Sequence, residues 1–379
     1  MAPIGKGRSG VHEPSRGWAD ISRPDRPWRP TGPVRALNLL RRGAEDLFPG
    51  YFSLVMATGA LSIALQLLAF PWVARGLLVF NIVAYVTLWS LVLTRLTCFP
   101  RKLLADLGDH GRGPGFFTVV AGTCVLGSQV LVVGHALAPA LWLWGLGIVL
   151  WVVVTYAFFT AVIVRWRKPP IDNGINGAWL IAAVATQSVA VLGGSLGGVI
   201  DLGVAARFLS LAMFLVGCML YLGIITLIFY RLTFVPLAPA EFTPPYWINM
   251  GAVAITTLAG STLILDGGGW ALIRDLMPFL KGFTLFFWAA ATWWIPLLII
   301  LTIWRHGVRR HPVRYDPQFW AMVFPLAMYT TGTLQLAHAL ELPFLLAIPD
   351  VFVFFAVAAW SCTLYAGARH IWSRLKLAH

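Results

Sequence analysis

The chain has 379 residues, of which 59% are hydrophobic and only 11% charged, with a formal net charge of +13 and a mean hydropathy of +0.77. Soluble domains carry roughly a quarter charged residues, so this composition excludes two or three water-soluble domains and points to a polytopic membrane protein. The positive charge does not imply a nucleic-acid partner, because it is concentrated in the terminal tail and between apolar segments, as basic cytoplasmic loops require.

Residues 1–46 are rich in Arg, Pro and Gly and read as a basic disordered tail, its cations near anionic lipid headgroups. Residues 47–372 hold ten apolar stretches, near 48–69, 76–97, 115–137, 140–164, 176–198, 205–231, 246–265, 278–304, 318–340 and 344–369. Most reach the roughly 20 residues with which a helix crosses a bilayer, and they lack the alternation of barrel strands. The expected fold is all-α, with ten transmembrane helices. A short cytoplasmic tail, 373–379, ends the chain. The first apolar run begins near Leu47, after a charged tail, so no cleavable signal peptide is expected and helix one serves as its own insertion signal. With the N-terminus inside, 24 Lys and Arg face the cytoplasm, and four (Arg75, Arg207, Arg274 and Lys281) face outward. That bias gives an even number of spans, N-in and C-in, in the inner (plasma) membrane.

Motifs for covalent chemistry are missing: there is no GxxxxGKS/T phosphate loop, no GxSxG and no HExxH. Cys98, Cys124, Cys218 and Cys362 form no CxxC pair and are expected to be buried, inert thiols. Neither enzyme activity nor a cofactor or metal is expected.

The odd-numbered helices share an opening: Pro49-Gly50-Tyr51-Phe52, Pro114-Gly115-Phe116-Phe117, Asn176-Gly177-Ala178-Trp179, Pro244-Pro245-Tyr246-Trp247 and Pro317-Gln318-Phe319-Trp320. Each sets a turn-forming or polar pair before an aromatic, continues through small residues, and is followed by a more uniformly apolar helix. Five such hairpins arrange about a central axis, with the odd helices inside because their Gly, Ala, Ser and Thr permit close approach. Aligned on the fourth-position aromatic, the residues four further on are Met56, Ala121, Ala183, Gly251 and Phe324, the expected pore lining. The same face continues through Ser128, Gln187, Thr262, Thr331 and Gln335. His135 and His338 end it at equivalent places near the outer side; they either sense pH or contact an anion, or they hydrogen-bond at the interface. All fifteen acidic residues fall in the tail, in loops or at membrane edges. A cation or proton pathway commonly uses a carboxylate in mid-membrane. A neutral, weakly polar pore flanked by Arg and Lys suits small anions instead.

The stretch from Phe48 to Gly59 (FPGYFSLVMATG) and that from Phe319 to Leu326 (FWAMVFPL) resemble the first and ninth helices of the tellurite-resistance / C4-dicarboxylate transporter family. That family includes plant slow-type anion channels and yeast malate and sulfite carriers. The resemblance covers roughly residues 45–370. It implies ten helices in five hairpins, a pore lined by the odd helices, a phenylalanine plug on helix nine, and a homotrimer with one pore per subunit. The plug falls on Phe324, followed by Pro325, which frees a carbonyl and bends the helix beside the gate. The implied function is gated, channel-like passage of small anions. The alternative is a secondary carrier for C4-dicarboxylates such as malate, for sulfite or for a related oxyanion, with or without proton coupling. Channels of the family can carry kinking prolines in several pore helices. Among the odd helices here only helix nine has one in its middle, so the bore is expected to differ.

Overall fold

The computed structural model describes residues 41, 43–267 and 269–377, and every regular element in them is helical. Ten long helices follow one another: α1 (Ser53–Leu67), α2 (Pro71–Cys98), α3 (Phe117–Val132), α4 (Leu137–Ile163), α5 (Ile181–Val199), α6 (Gly203–Phe234), α7 (Ile248–Asp266), α8 (Ala271–Ile303), α9 (Trp320–Ala339) and α10 (Ala347–Leu377). Among the described residues nine helices are long and apolar enough to cross a membrane. The remaining one, α9, has 20 residues, and Thr330, Thr331, Thr333, Gln335 and His338 lower its hydropathy.

Some boundaries differ from expectation. α8 starts at Ala271 instead of near 278. A proline fits the first turn of a helix without loss, so Pro278 resembles a start, but the helix runs through both Pro278 and Pro296. Of the expected disordered tail, 1–40 and 42 lie outside the described residues. Residues 43–45 are helical, with Ala44 buried and Glu45 paired to Lys102 at 2.9 Å. At the other end α10 continues to Leu377, into the expected second tail.

Each odd helix begins from a 3-10 turn: Pro49–Phe52, Gly113–Phe116, Gly177–Leu180, Pro244–Trp247 and Pro317–Phe319. Proline suits these turns because its φ is preset and it lacks the N–H that a first turn leaves unpaired. The five turns touch in a closed circle, and so do α1, α3, α5, α7 and α9, with α9 closing onto α1. The even helices form an outer shell, each packed on its own odd partner. Burial separates the shells: the outer spans are 17–39% buried, whereas α1, α3, α5 and α7 are 78–94% buried. Small residues set the inner spacing. A Cβ on Gly332 of α9 would lie 2.7 Å from the Ala254 carbonyl oxygen of α7, and one on Gly122 of α3 would lie 3.3 Å from that of Phe52.

Two kinds of polar contact repeat around the ring. Outer helices latch onto the next inner helix: the Tyr85 and Thr123 hydroxyls meet at 3.0 Å, and Trp151 Nε1 donates to Thr186 at 2.8 Å. Trp360 Nε1 of α10 donates to Thr58 of α1 at 3.0 Å, which joins the last hairpin to the first. In addition, an arginine at the end of an outer helix donates to a backbone carbonyl just ahead of its own hairpin. Arg95 reaches Leu47, Arg165 reaches Gly108, Arg231 reaches Asp172 and Arg305 reaches Phe242. Arg95 and Arg231 are buried and also pair with Asp106 (2.6 Å) and Glu241 (3.3 Å). A buried guanidinium is tolerated when carbonyls and a carboxylate take up its donors. These clamps hold the end at which the odd helices begin.

Candidate functional site

Two cavities lie on the axis of the inner ring, one at each end. Where the odd helices begin, a vestibule of about 250 Å³ is bounded by all five 3-10 turns and the residues beside them. At the opposite end a narrower cavity of about 70 Å³ is again lined from all five odd helices.

The linings define a register. Gly50, Gly115, Ala178, Pro245 and Gln318 are equivalent at the wide mouth, and Ser53, Thr118, Ile181 and Ala321 follow three residues on. At the far end Ile63, Ser128, Val191, Leu258 and Thr331 form one ring, and Leu67, Val132, Ser195, Thr262 and Gln335 the next. Steps of three and four residues stay on one helix face. The ring between the two cavities is therefore Met56, Ala121, Val184, Gly251 and Phe324. It lines neither cavity. Phe324 and Met56, its two large side chains, are 1% and 3% exposed. The next ring, Ala60, Val125, Ser188, Ile255 and Met328, reaches the narrow cavity only through Val125 and Met328.

This register differs from the expected one in α5. The opening that matches Pro49 and Pro114 is Gly177, not Asn176, and a slip of one residue turns a helix by about 100°. Ala183 and Gln187 thus leave the axial face, and Val184 and Ser188 replace them. Gln187 instead donates to the Phe214 carbonyl of α6 at 3.0 Å. The slip is legible in the sequence: Thr58, Thr123 and Thr186, three of the threonines that latch outer helices, coincide in the repeats only when Gly177 is the first residue of the third.

The other expected residues are placed as follows. Ser128, Thr262, Thr331 and Gln335 line the narrow cavity. Pro325 packs against α7, where a Cβ on Gly251 would come within 2.6 Å of its Cγ. It is the one proline inside an odd α-helix among the described residues. His135, in a left-handed turn with φ 50° after α3, and His338 are exposed beyond the last ring, and neither lines either axial cavity. Cys124 is buried, and so is Cys218, which meets Gln187 of α5 at 3.6 Å; Cys98 and Cys362 are exposed, contrary to expectation. Among the described residues no three His, Cys, Asp or Glu gather as a metal site.

Neither axial cavity has an ionisable side chain in its lining. The wide vestibule offers neutral polar groups instead, from Ser53, Thr118, Asn176, Thr243 and Gln318. All five odd helices begin around it, and each helix start carries a partial positive charge of about half a unit. His110, next to Gly111 of the lining, has its pKa held below the ordinary histidine value by burial and by the charge of Arg165. The helix starts therefore offer the vestibule a source of positive potential that needs no titrating group in its lining.

Close backbone contact around the mouth makes Gly177 sensitive. A Cβ there would overlap the Pro245 carbonyl group and come within 2.6 Å of Tyr246 Cα. Gly177→Ala is expected to lower stability by about 1–3 kcal/mol, read as a fall in thermal midpoint in detergent; an unchanged midpoint would show that the mouth is looser than described.

Residues 46–367 match the family model described as SLAC1, voltage-dependent anion channel. An uncharacterized membrane protein of Mycobacterium tuberculosis is 39% identical over 153 residues, 40% of this chain and 77% of that protein. An uncharacterized transporter of Methanocaldococcus jannaschii is 25% identical over 304 residues, covering 76% of this chain and 83% of its own. A sulfite efflux pump of Arthroderma benhamiae is 24% identical over 338 residues, covering 83% and 88%.

Proposed function

We propose, because the chain belongs to the SLAC1 voltage-dependent anion channel family, that it carries small anions along the axis of its inner ring, in channel fashion. The observation that supports this most is the pair of axial cavities, each lined from all five odd helices and neither holding a charged side chain. Five helix starts draw anions into the wide vestibule. Hydroxyls and amides then replace part of the hydration shell without binding tightly, which conduction requires. The ring of Met56 and Phe324 between the cavities is the closed gate, and Pro325 is where α9 bends to move Phe324 aside. In this reading all ten helices span the plasma membrane, the 24 Lys and Arg lie on the cytoplasmic side, and subunits assemble as trimers with one pore each.

A second reading is favoured by the likeness to the sulfite efflux pump: a carrier for sulfite, malate or a related oxyanion, alternating about the same closed ring. Flux into proteoliposomes separates the two. Chloride or nitrate current that follows an imposed potential, with no dependence on a pH gradient, supports the channel. Silence to both ions, together with sulfite or malate accumulation only under a pH gradient, rejects the channel in favour of the carrier.

A further inference from the structure

Beside the wide vestibule, off the axis, the connection between α8 and α9 lines a third cavity of about 390 Å³ together with Ala240, Thr243 and Pro244. Its lining includes Arg305, His306, His311 and Arg314, with Asp316 as the one acid. A volume of this size accommodates a small molecule.

The backbone is bent to make this cluster. α8 ends in a π-helical turn, Trp304–Val308, and Arg310 then adopts a left-handed conformation with φ 50°. That conformation is disfavoured for a residue with a side chain. It lets the His311 N–H bond back to the Arg305 carbonyl at 3.0 Å, and it brings the His306 and His311 rings to 6.2 Å. The turn therefore gathers two imidazoles and two guanidinium groups into the lining of one cavity. A strained backbone beside clustered titratable groups is a mark of a binding site.

The one acid, Asp316, offsets the charge of Arg305 in part and leaves the two arginines in excess. Asp316 Oδ1 accepts from the Gln318 N–H at 2.8 Å and so caps the turn that starts α9. Arg305 donates one Nη to the Phe242 carbonyl, while its Nε is buried without a partner. His306 Nδ1 meets the His311 carbonyl at 2.8 Å, which leaves its Nε2 uncommitted. Desolvation and then the charges of Arg305, His306 and Arg314 hold the His311 pKa below the ordinary histidine value, as expected in a strongly positive field.

We propose that this cavity binds a phosphate-class oxyanion, either free phosphate or the phosphomonoester of a lipid headgroup. Planar guanidinium groups from Arg305 and Arg314 suit its oxygens, and the histidines add donors when protonated. The site is separate from the axial path, with Thr243 the wall it shares with the vestibule. Phe319, in the same lining, immediately precedes α9, so the bound anion would rest against the base of the helix that carries Phe324.

The test uses the full chain in phosphatidylcholine nanodiscs, with inorganic phosphate titrated at constant ionic strength and followed by calorimetry and thermal midpoint. The wild type is expected to bind saturably. The double variant Arg314→Gln with His311→Gln, which leaves the Arg305 clamp in place, is expected to bind at least about tenfold more weakly. Gln318→Ala, which alters the axial vestibule, is expected to bind as the wild type does. Loss of the phosphate response on adding phosphatidic acid to the nanodiscs, with no such competition in the double variant, supports the site and identifies the lipid as its source. Absence of saturable binding from both sources, equal binding by the double variant, or weakened binding only in Gln318→Ala would each overturn the proposal. Silent ion flux would leave it standing.

Discussion

Phe324→Ala is expected to raise chloride or nitrate flux into proteoliposomes at least about tenfold, equivalent to removing roughly 1.4 kcal/mol from the barrier to passage. The ring that separates the two axial cavities contains Met56, Ala121, Val184, Gly251 and Phe324. With Phe324 truncated, Met56 is the one large side chain left, and methionine is flexible enough to yield. Phe-to-Ala changes in closed cores cost about 3–5 kcal/mol because a void remains. Here the space opens toward cavities on either side, so water can enter and the loss of stability should be at the lower end. The flux assay is read together with the thermal midpoint. A folded Phe324→Ala protein with wild-type flux would remove Phe324 from the gate.

Arg95→Met is expected to cost about 3–5 kcal/mol, the usual effect of breaking a buried ion pair by removing one partner. Arg95 is 4% exposed; it contacts Asp106 at 2.6 Å and donates to the Leu47 carbonyl at 2.7 Å. Its loss leaves Asp106 to Arg112 alone and the Leu47 carbonyl without its donor. Since folded proteins hold only about 5–15 kcal/mol in reserve, the variant should unfold well below the wild-type temperature in detergent. Lys102→Met is the internal comparison. Lys102 also contacts two acids, Glu45 and Asp46, but it is 49% exposed, and such solvent-screened pairs contribute little to stability. If the two variants shift the midpoint equally, the arginine clamps do not hold the mouth.

Much of this fold is legible in the sequence because a bilayer leaves few choices. Every backbone group must be paired inside an apolar slab, so ten long apolar runs become helices, and turn residues mark where they start. The hairpin repeat is also legible, from the proline-led, aromatic openings of α1, α3, α7 and α9. The site was legible less fully, for two physical reasons. Helical register magnifies small errors: taking Asn176 for the start of the third repeat moved two expected lining residues, Ala183 and Gln187, off the axis. Phe324 and Pro325 were singled out by resemblance more than by composition, since a buried phenylalanine beside the axis and one in a helix contact have the same local sequence. The arginine clamps are not legible in the sequence, where Arg95, Arg165, Arg231 and Arg305 show only a charge bias. Their function depends on which backbone carbonyls lie opposite, and those are distant in the sequence. The cationic fold of the α8–α9 connection depends on the left-handed backbone at Arg310, which sequence favours only weakly.

The most direct test of the axial pathway is block by a charged thiol reagent. Cys98 and Cys362, the exposed native cysteines, are changed to serine in a Phe324→Ala background. A new cysteine is then placed at Thr331, in the narrow axial cavity, or at Gly223, on outer helix α6 with open space around it. The account predicts that an anionic methanethiosulfonate abolishes most of the flux through the Thr331→Cys protein and leaves the Gly223→Cys protein unaffected. Full labelling of Thr331→Cys, verified by mass spectrometry, with undiminished flux would contradict it, because anions would then be crossing elsewhere.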